Sequence, residues 1–109
     1  METINYEQFK KMDIRIGTIK QVEPIEGTDK LLRCQIDFGE PELRQIVSGI
    51  REYYPEFETL IGKQVLYVVN LEPREIRGHV SHGMLMAVGD DKPIFLVPET
   101  PVAAGSKVR

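Results

Sequence analysis

The residues best equipped for chemistry gather in one stretch, from Lys63 and Asn70 through Arg74 and Arg77 to His79 and His82. Arginine forks grip phosphate bidentately and lysines supply point charges, so such a cluster could hold a nucleic acid. Glu72 and Glu75 dilute it to near neutrality, and composition alone makes it a solvated loop. His79 and His82 have the spacing of a metal-ligand pair, but they are the only histidines, and the single thiol, Cys34, falls on an apolar strand face. A zinc site needs more ligands than remain, so neither a metal nor another cofactor is expected. Ser48-Gly49 and Ser81 beside the histidines are the only candidates for a nucleophile and base. The chain has no Gly-x-Ser-x-Gly elbow and no glycine-rich phosphate loop, and serines at strand ends mostly satisfy backbone groups. Catalysis is not expected.

Composition narrows the partners. A chain of 109 residues, 41% hydrophobic and 28% charged, fits one domain, 1–109, with an ordinary core. The net charge of −3 argues against a protein that coats DNA non-specifically, yet leaves room for a local basic face. One cysteine excludes an internal disulfide and points to a reducing compartment. The first residues, Met1 to Glu7, have neither the basic nor the apolar region of a signal peptide. No apolar run approaches the roughly 20 residues of a membrane helix. The expectation is a cytoplasmic chain with no membrane association.

The elements that must position these groups are mostly short strands. Asn5 can cap a short helix within residues 1–12, with Gln8 three residues on to bond back. From Asp13 the period changes to strand spacing, through Ile14, Ile16, Thr18 and Val22. Ile19 breaks that parity, and Gly17 between the two registers suggests a bulge or bend in one long strand. Leu32, Cys34, Ile36 and Phe38 alternate with Arg33, Gln35 and Asp37, which places Cys34 inward and Arg33 outward. Gly39 to Glu42 is a turn, and Leu43 to Val47 should return as the hairpin partner. Phe57, Leu60 and Ile61 suggest a turn of helix ended by Gly62, and Gln64 to Val69 is a continuous apolar strand. Asn70 to His82 reads as a long polar loop, Gly83 to Gly89 as a strand, and Ile94 to Val97 as another. Residues 94–109 form a C-terminal extension. The result is an all-β chain, for which a five-stranded oligonucleotide/oligosaccharide-binding (OB) barrel, an SH3-like barrel and a small sandwich all satisfy the periodicity. In an OB barrel the loops flanking the sheet face hold oligonucleotides, and Lys30 and Arg33 would lie on that face.

Several strings, in order, carry a resemblance: Asp13-Ile14-Arg15-Ile16-Gly17, Asp29-Lys30-Leu31-Leu32, Val47-Ser48-Gly49-Ile50, Gly62-Lys63, Asn70-Leu71-x-Pro73 and Arg77-Gly78-x-x-Ser81-x-Gly83-Met84. From Asp13 to Arg109 the chain resembles the tRNA-binding domain family, found as the C-terminal domain or β chain of methionyl-tRNA synthetase and as free-standing tRNA-binding proteins. The resemblance implies an OB fold with terminal segments that build a homodimer, and recognition of tRNA by shape. It further implies that Lys30, Arg44, Asn70, Arg74, Arg77, Ser81 and Met84 line or border the tRNA-contacting face, with Ser48 shaping the same pocket. Arg33 and Lys63 join that set by their placement. The implied role is a non-catalytic auxiliary to a methionyl-tRNA synthetase chain. One departure stands out: Ile25-Glu26 occupies the place of a His-Pro pair common in the family, trading an imidazole for a carboxylate.

A homodimer is also expected from leftover apolar groups, Tyr6, Phe9 and Met12 at one end with Phe95, Val97 and Val102 at the other, which exceed the needs of so small a core. The competing expectation is a peptide-binding export chaperone, built on the same dimeric barrel but expected to lack the Val-Ser-Gly-Ile and Arg-Gly-x-x-Ser-x-Gly-Met strings.

Overall fold

The structure is a computed structural model that describes all residues, 1–109. Asn5 opens the single helix, α1 (Tyr6–Phe9): its side chain accepts from the Gln8 amide while the Gln8 side chain accepts from the Asn5 amide, both at 2.9 Å. This reciprocal cap is the one that the Asn/Gln spacing predicts. No residue of α1 is buried, so no tertiary packing prolongs it beyond one turn.

The remaining elements are β1 (Ile14–Pro24), β2 (Leu32–Asp37), β3 (Arg44–Ser48), β4 (Gln64–Val68), β5 (Arg74–Ile76), β6 (His79–Ser81), β7 (Met84–Leu85), β8 (Ala87–Val88) and β9 (Ile94–Phe95). Five of them form one antiparallel sheet in the order β3-β2-β1-β4-β7. The sheet curls until β3 meets β6 and the residue that follows it. There the His82 amide donates to Gln45 O at 2.9 Å, the Gln45 side chain donates to Val80 O at 2.9 Å, and the Val47 amide donates to Ser81 Oγ at 3.0 Å. The product is a nearly closed, OB-like barrel, in agreement with the all-β expectation.

β1 makes this closure possible because it serves both halves. It pairs with β4 from Ile14 to Thr18 and with β2 from Thr18 to Pro24. Its buried residues change parity twice, from Ile14 and Ile16 to Ile19 and then to Val22. At the first change sits Gly17, where a Cβ would lie 2.4 Å from Ile36 Cγ2 and 2.7 Å from the Phe38 ring. At the second, the β1–β2 register slips between Ile19 and Gln21. The strand irregularity therefore falls three residues beyond the glycine that announces it, and Gly17 is instead a point of close packing.

Leu32, Cys34, Ile36 and Phe38 all face the core, as their alternation predicts. Phe38 meets Tyr67 edge-on, with ring centroids 5.4 Å apart. Burial pushes the Cys34 thiol up to about 12 and also raises the Tyr67 phenol.

Elsewhere the structure corrects the sequence reading. The 70–82 loop contains a hairpin, β5–β6, with Ile76 opposite His79 and a two-residue turn at Arg77-Gly78. Both turn residues have positive φ, 51° and 81°, the type I′ pattern that matches strand twist. The expected helical turn at 57–61 is a 3-10 turn, Phe57–Leu60, and a second one, Arg51–Tyr53, precedes it. The tighter winding buries Leu60 and leaves Ile61 half exposed. The 83–89 strand breaks into β7 and β8, and the 94–97 strand shortens to β9. The C-terminal extension then runs back along β1: Val108 donates to Ile14 O, Ile16 to Ser106 O and Gly105 to Ile16 O, all at 2.8–2.9 Å. No helix is long and apolar enough to cross a membrane.

Candidate nucleic-acid interface

Two adjoining clefts lie against the β5–β6 hairpin. The first, ≈ 700 Å³, has no hydrophobic lining and carries Lys30, Arg51 and Arg77 together with Glu26 and Asp29. The second, ≈ 530 Å³, is floored by aliphatic groups, among them Leu31, Ile50 and Ile76, and bordered by Ser48, Arg74, Ser81 and Met84. Three chain segments form a common wall. Lys30, Arg51 and Arg77 each face the polar cleft, and their sequence neighbours Leu31, Ile50 and Ile76 line the apolar one.

The local structure explains this placement. Arg77 occupies the first turn position of the hairpin, so its side chain starts from the hairpin's tip. Arg51 follows β3 in a 3-10 turn, where its amide donates to Lys30 O at 3.1 Å and its guanidinium to Thr28 O at 2.7 Å. It thereby fixes the 27–30 loop that presents Lys30. The molecule holds three ion pairs, Arg15–Asp13, Arg33–Glu23 and Arg44–Glu40. Lys30, Arg51, Arg74 and Arg77 belong to none of them. Cations without carboxylate partners can meet phosphate oxygens without first breaking an ion pair.

The expected site residues divide accordingly. Lys30 and Arg77 share the polar cleft; Ser48, Arg74, Ser81 and Met84 share the apolar one. Ser81 is buried, its hydroxyl accepting from Val47 and donating to Gly83 O at 3.0 Å, so its first duty is to latch the barrel. Arg33 points outward as predicted, yet it is held by Glu23 and donates to His79 Nδ1 at 3.3 Å. Asn70 ties the N-terminal segment down, accepting from the Asp13 amide and donating to Lys11 O. Lys63, at the other end of β4 from Asn70, borders a separate cleft with Val97 and Pro98.

Arg44 is the most fully engaged. It forms a two-pronged contact with Glu40, donates to Val69 O at 2.8 Å and His82 O at 3.2 Å, and lies over the Phe38 ring. It bridges β3, the end of β4 and the approach to β7. Arg44→Ala is therefore expected to lower unfolding free energy by about 1.5 kcal/mol, and Arg44→Lys, lacking the fork, by nearly as much. Chemical denaturation of the three proteins checks this.

Arg51 escaped the sequence reading because it lies where strand periodicity stops. The Ile25-Glu26 departure is now placed: Ile25 is a core residue, and Glu26 borders the polar cleft. No group of three or more His, Cys, Asp or Glu side chains is arranged to hold a metal ion.

Comparison with known proteins bears on this geometry. Residues 14–107 match the family model described as "Putative tRNA binding domain". The whole chain aligns at 40% identity with a methionine–tRNA ligase of Methanosarcina mazei, spanning 15% of that relative's length. Among solved structures it resembles a MetRS-related protein of Pyrococcus horikoshii, with 35% identity, TM-score 0.86 and full coverage of both chains. It equally resembles the chaperone CsaA of Bacillus anthracis, with 32% identity and TM-score 0.88 over 99% of this chain and 100% of that one.

Proposed function

The chain belongs to the tRNA-binding domain family, and from that premise we propose that it binds tRNA at the two clefts beside the β5–β6 hairpin, as a non-catalytic auxiliary of a methionyl-tRNA synthetase. The observation that carries the reading is the gathering of Lys30, Arg51 and Arg77, none of them ion-paired, in one polar cleft of an otherwise anionic protein. Folded RNA is held through its backbone and its unstacked bases, and a small cationic patch suits weak, shape-directed contact. Fused to or assembled with a catalytic chain, such a module raises the local concentration of tRNA without adding chemistry. The Methanosarcina relative, a ligase of which this chain matches a 15% share, supports that arrangement. A homodimer fits the same reading: Tyr6, Met12, Val97 and Val102 are exposed, and Phe9 is half-buried. Phe95 contributes less, because it stacks on Tyr54 and packs on the core.

The chaperone relative makes polypeptide the competing ligand, and one measurement separates them. Filter binding of tRNA should show log affinity falling against log salt with a slope of roughly −3, about one unit for each cation of the polar cleft. Flat binding with capture of unfolded polypeptide would favour the chaperone. Arg77→Asn sharpens the test. Asparagine tolerates the left-handed backbone at φ 51°, and Asn-Gly is a favoured type I′ turn, so the hairpin is kept while the charge is lost. All tRNAs should weaken alike, by about three- to ten-fold, with the slope reduced by about 1. Selective loss of one tRNA would contradict backbone recognition.

A further inference from the structure

The aliphatic cleft is an odd neighbour for a phosphate site, and its chemistry is specific. Leu31, Ile50 and Ile76 supply an apolar floor, while Leu71 and Met84 stand at its edge, each about half exposed. The Ser48 hydroxyl and the Gly49 amide, both on this lining, have no hydrogen-bond partner in the chain. Arg74 adds an unpaired planar guanidinium. An apolar slot with free donors and a stacking plane suits a flat heterocycle whose edge carries polar atoms.

We propose that this cleft receives a single unstacked nucleobase of folded RNA, with the adjacent phosphate held by Lys30, Arg51 and Arg77. The proposal rests on the tRNA-binding reading and adds base contact to a recognition otherwise carried by the backbone. The common wall is the argument for a nucleotide: each cation is one residue from an aliphatic floor group, so apolar and cationic sites adjoin as base and phosphate do within one nucleotide. An extended peptide has less to bind. β3, which would be the exposed edge here, already spends Gln45 O on the His82 amide and the Val47 amide on Ser81, so strand addition is denied. No aromatic ring lines the cleft, so stacking falls to Arg74 and to the aliphatic surfaces.

The test uses the full chain and four probes: unfractionated tRNA, a short fully paired RNA duplex, the same duplex with one bulged adenosine, and the duplex with an abasic bulge. Wild-type protein should bind tRNA and should prefer the adenosine bulge to the abasic one by about ten-fold or more. Gly49→Leu places a neutral side chain in the cleft, and a Cβ at Gly49 meets Leu31 Cδ2 and Lys30 O only at 4.0 Å, so the backbone accommodates the substitution. It should abolish the ten-fold preference and leave affinity for the paired duplex unchanged. Met84→Ser, at an exposed position, should reduce the preference in the same sense. Binding of tRNA with equal affinity for both bulges overturns the base site alone. Failure to bind any RNA overturns the tRNA reading as well. A preference that survives Gly49→Leu, or an unfolded polypeptide that competes for the cleft, also overturns the proposal.

Discussion

Gly17→Ala is expected to lower unfolding free energy by about 3 kcal/mol and the midpoint of thermal unfolding by about 15 °C. Gly17 needs no unusual backbone; the cause is purely steric. Its added Cβ would lie 2.4 Å from Ile36 Cγ2 and 2.7 and 2.9 Å from two atoms of the Phe38 ring. Ile36 is completely buried and Phe38 nearly so, with Tyr67 against the ring, so neither can withdraw without opening space elsewhere. Alanine would ordinarily favour a strand over glycine by about 0.5–1 kcal/mol, which offsets only part of the overpacking. Calorimetry of the single variants Gly17→Ala and Ile36→Ala, and of their combination, tests the mechanism. The double variant should be less destabilised than the two losses added together, because truncating Ile36 removes the atom that the new methyl strikes. Strict additivity would show that the damage lies elsewhere.

Alkaline pH should weaken the protein through the same core. The Cys34 thiol is pushed up to about 12 in the folded state from 9.0, so the folded chain keeps its proton where the unfolded chain releases it. Its contribution is therefore fully present below about pH 9 and is lost as pH rises towards 12. The slope is about 1.4 kcal/mol per pH unit in that window. Tyr67 acts in the same direction from about pH 10 upward, since burial raises its phenol as well. Urea unfolding at stepped pH should show stability level to about pH 9 and then declining. In Cys34→Ala, itself less stable, the decline should begin nearer pH 10. A stability that stays flat to pH 11 would mean that the core admits water around the thiol.

The fold was most legible where one face of a strand is buried and the other is not. Leu32, Cys34, Ile36 and Phe38 declared β2 because their neighbours Arg33, Gln35 and Asp37 face out. The β5–β6 hairpin stayed hidden for the opposite reason. Glu75 and Val80 are exposed and Arg74 projects to a cleft rim, so its three-residue strands have no apolar alternation to display. The Arg77-Gly78 turn is its one local signal. The candidate site was legible in part. Of the residues expected at the tRNA-contacting face, Lys30, Ser48, Arg74, Arg77, Ser81 and Met84 line the paired clefts, whereas Arg44 and Asn70 hold other segments of the chain in place. An arginine that grips Glu40 and two distant carbonyls looks, in sequence, the same as one that is free. Arg51 joined the site only because a 3-10 turn swings it beside Thr28.

The pairing of β1 also dictates when the protein can form during synthesis. Its first half finds partners at Gln64–Val68 and again at Ser106 and Val108, some ninety positions later in translation. A nascent chain can zip β2 and β3 onto the second half early, but the opening isoleucines stay incompletely covered until the ribosome has delivered residues 105–108. So high a contact order predicts refolding on the millisecond-to-second scale rather than in microseconds.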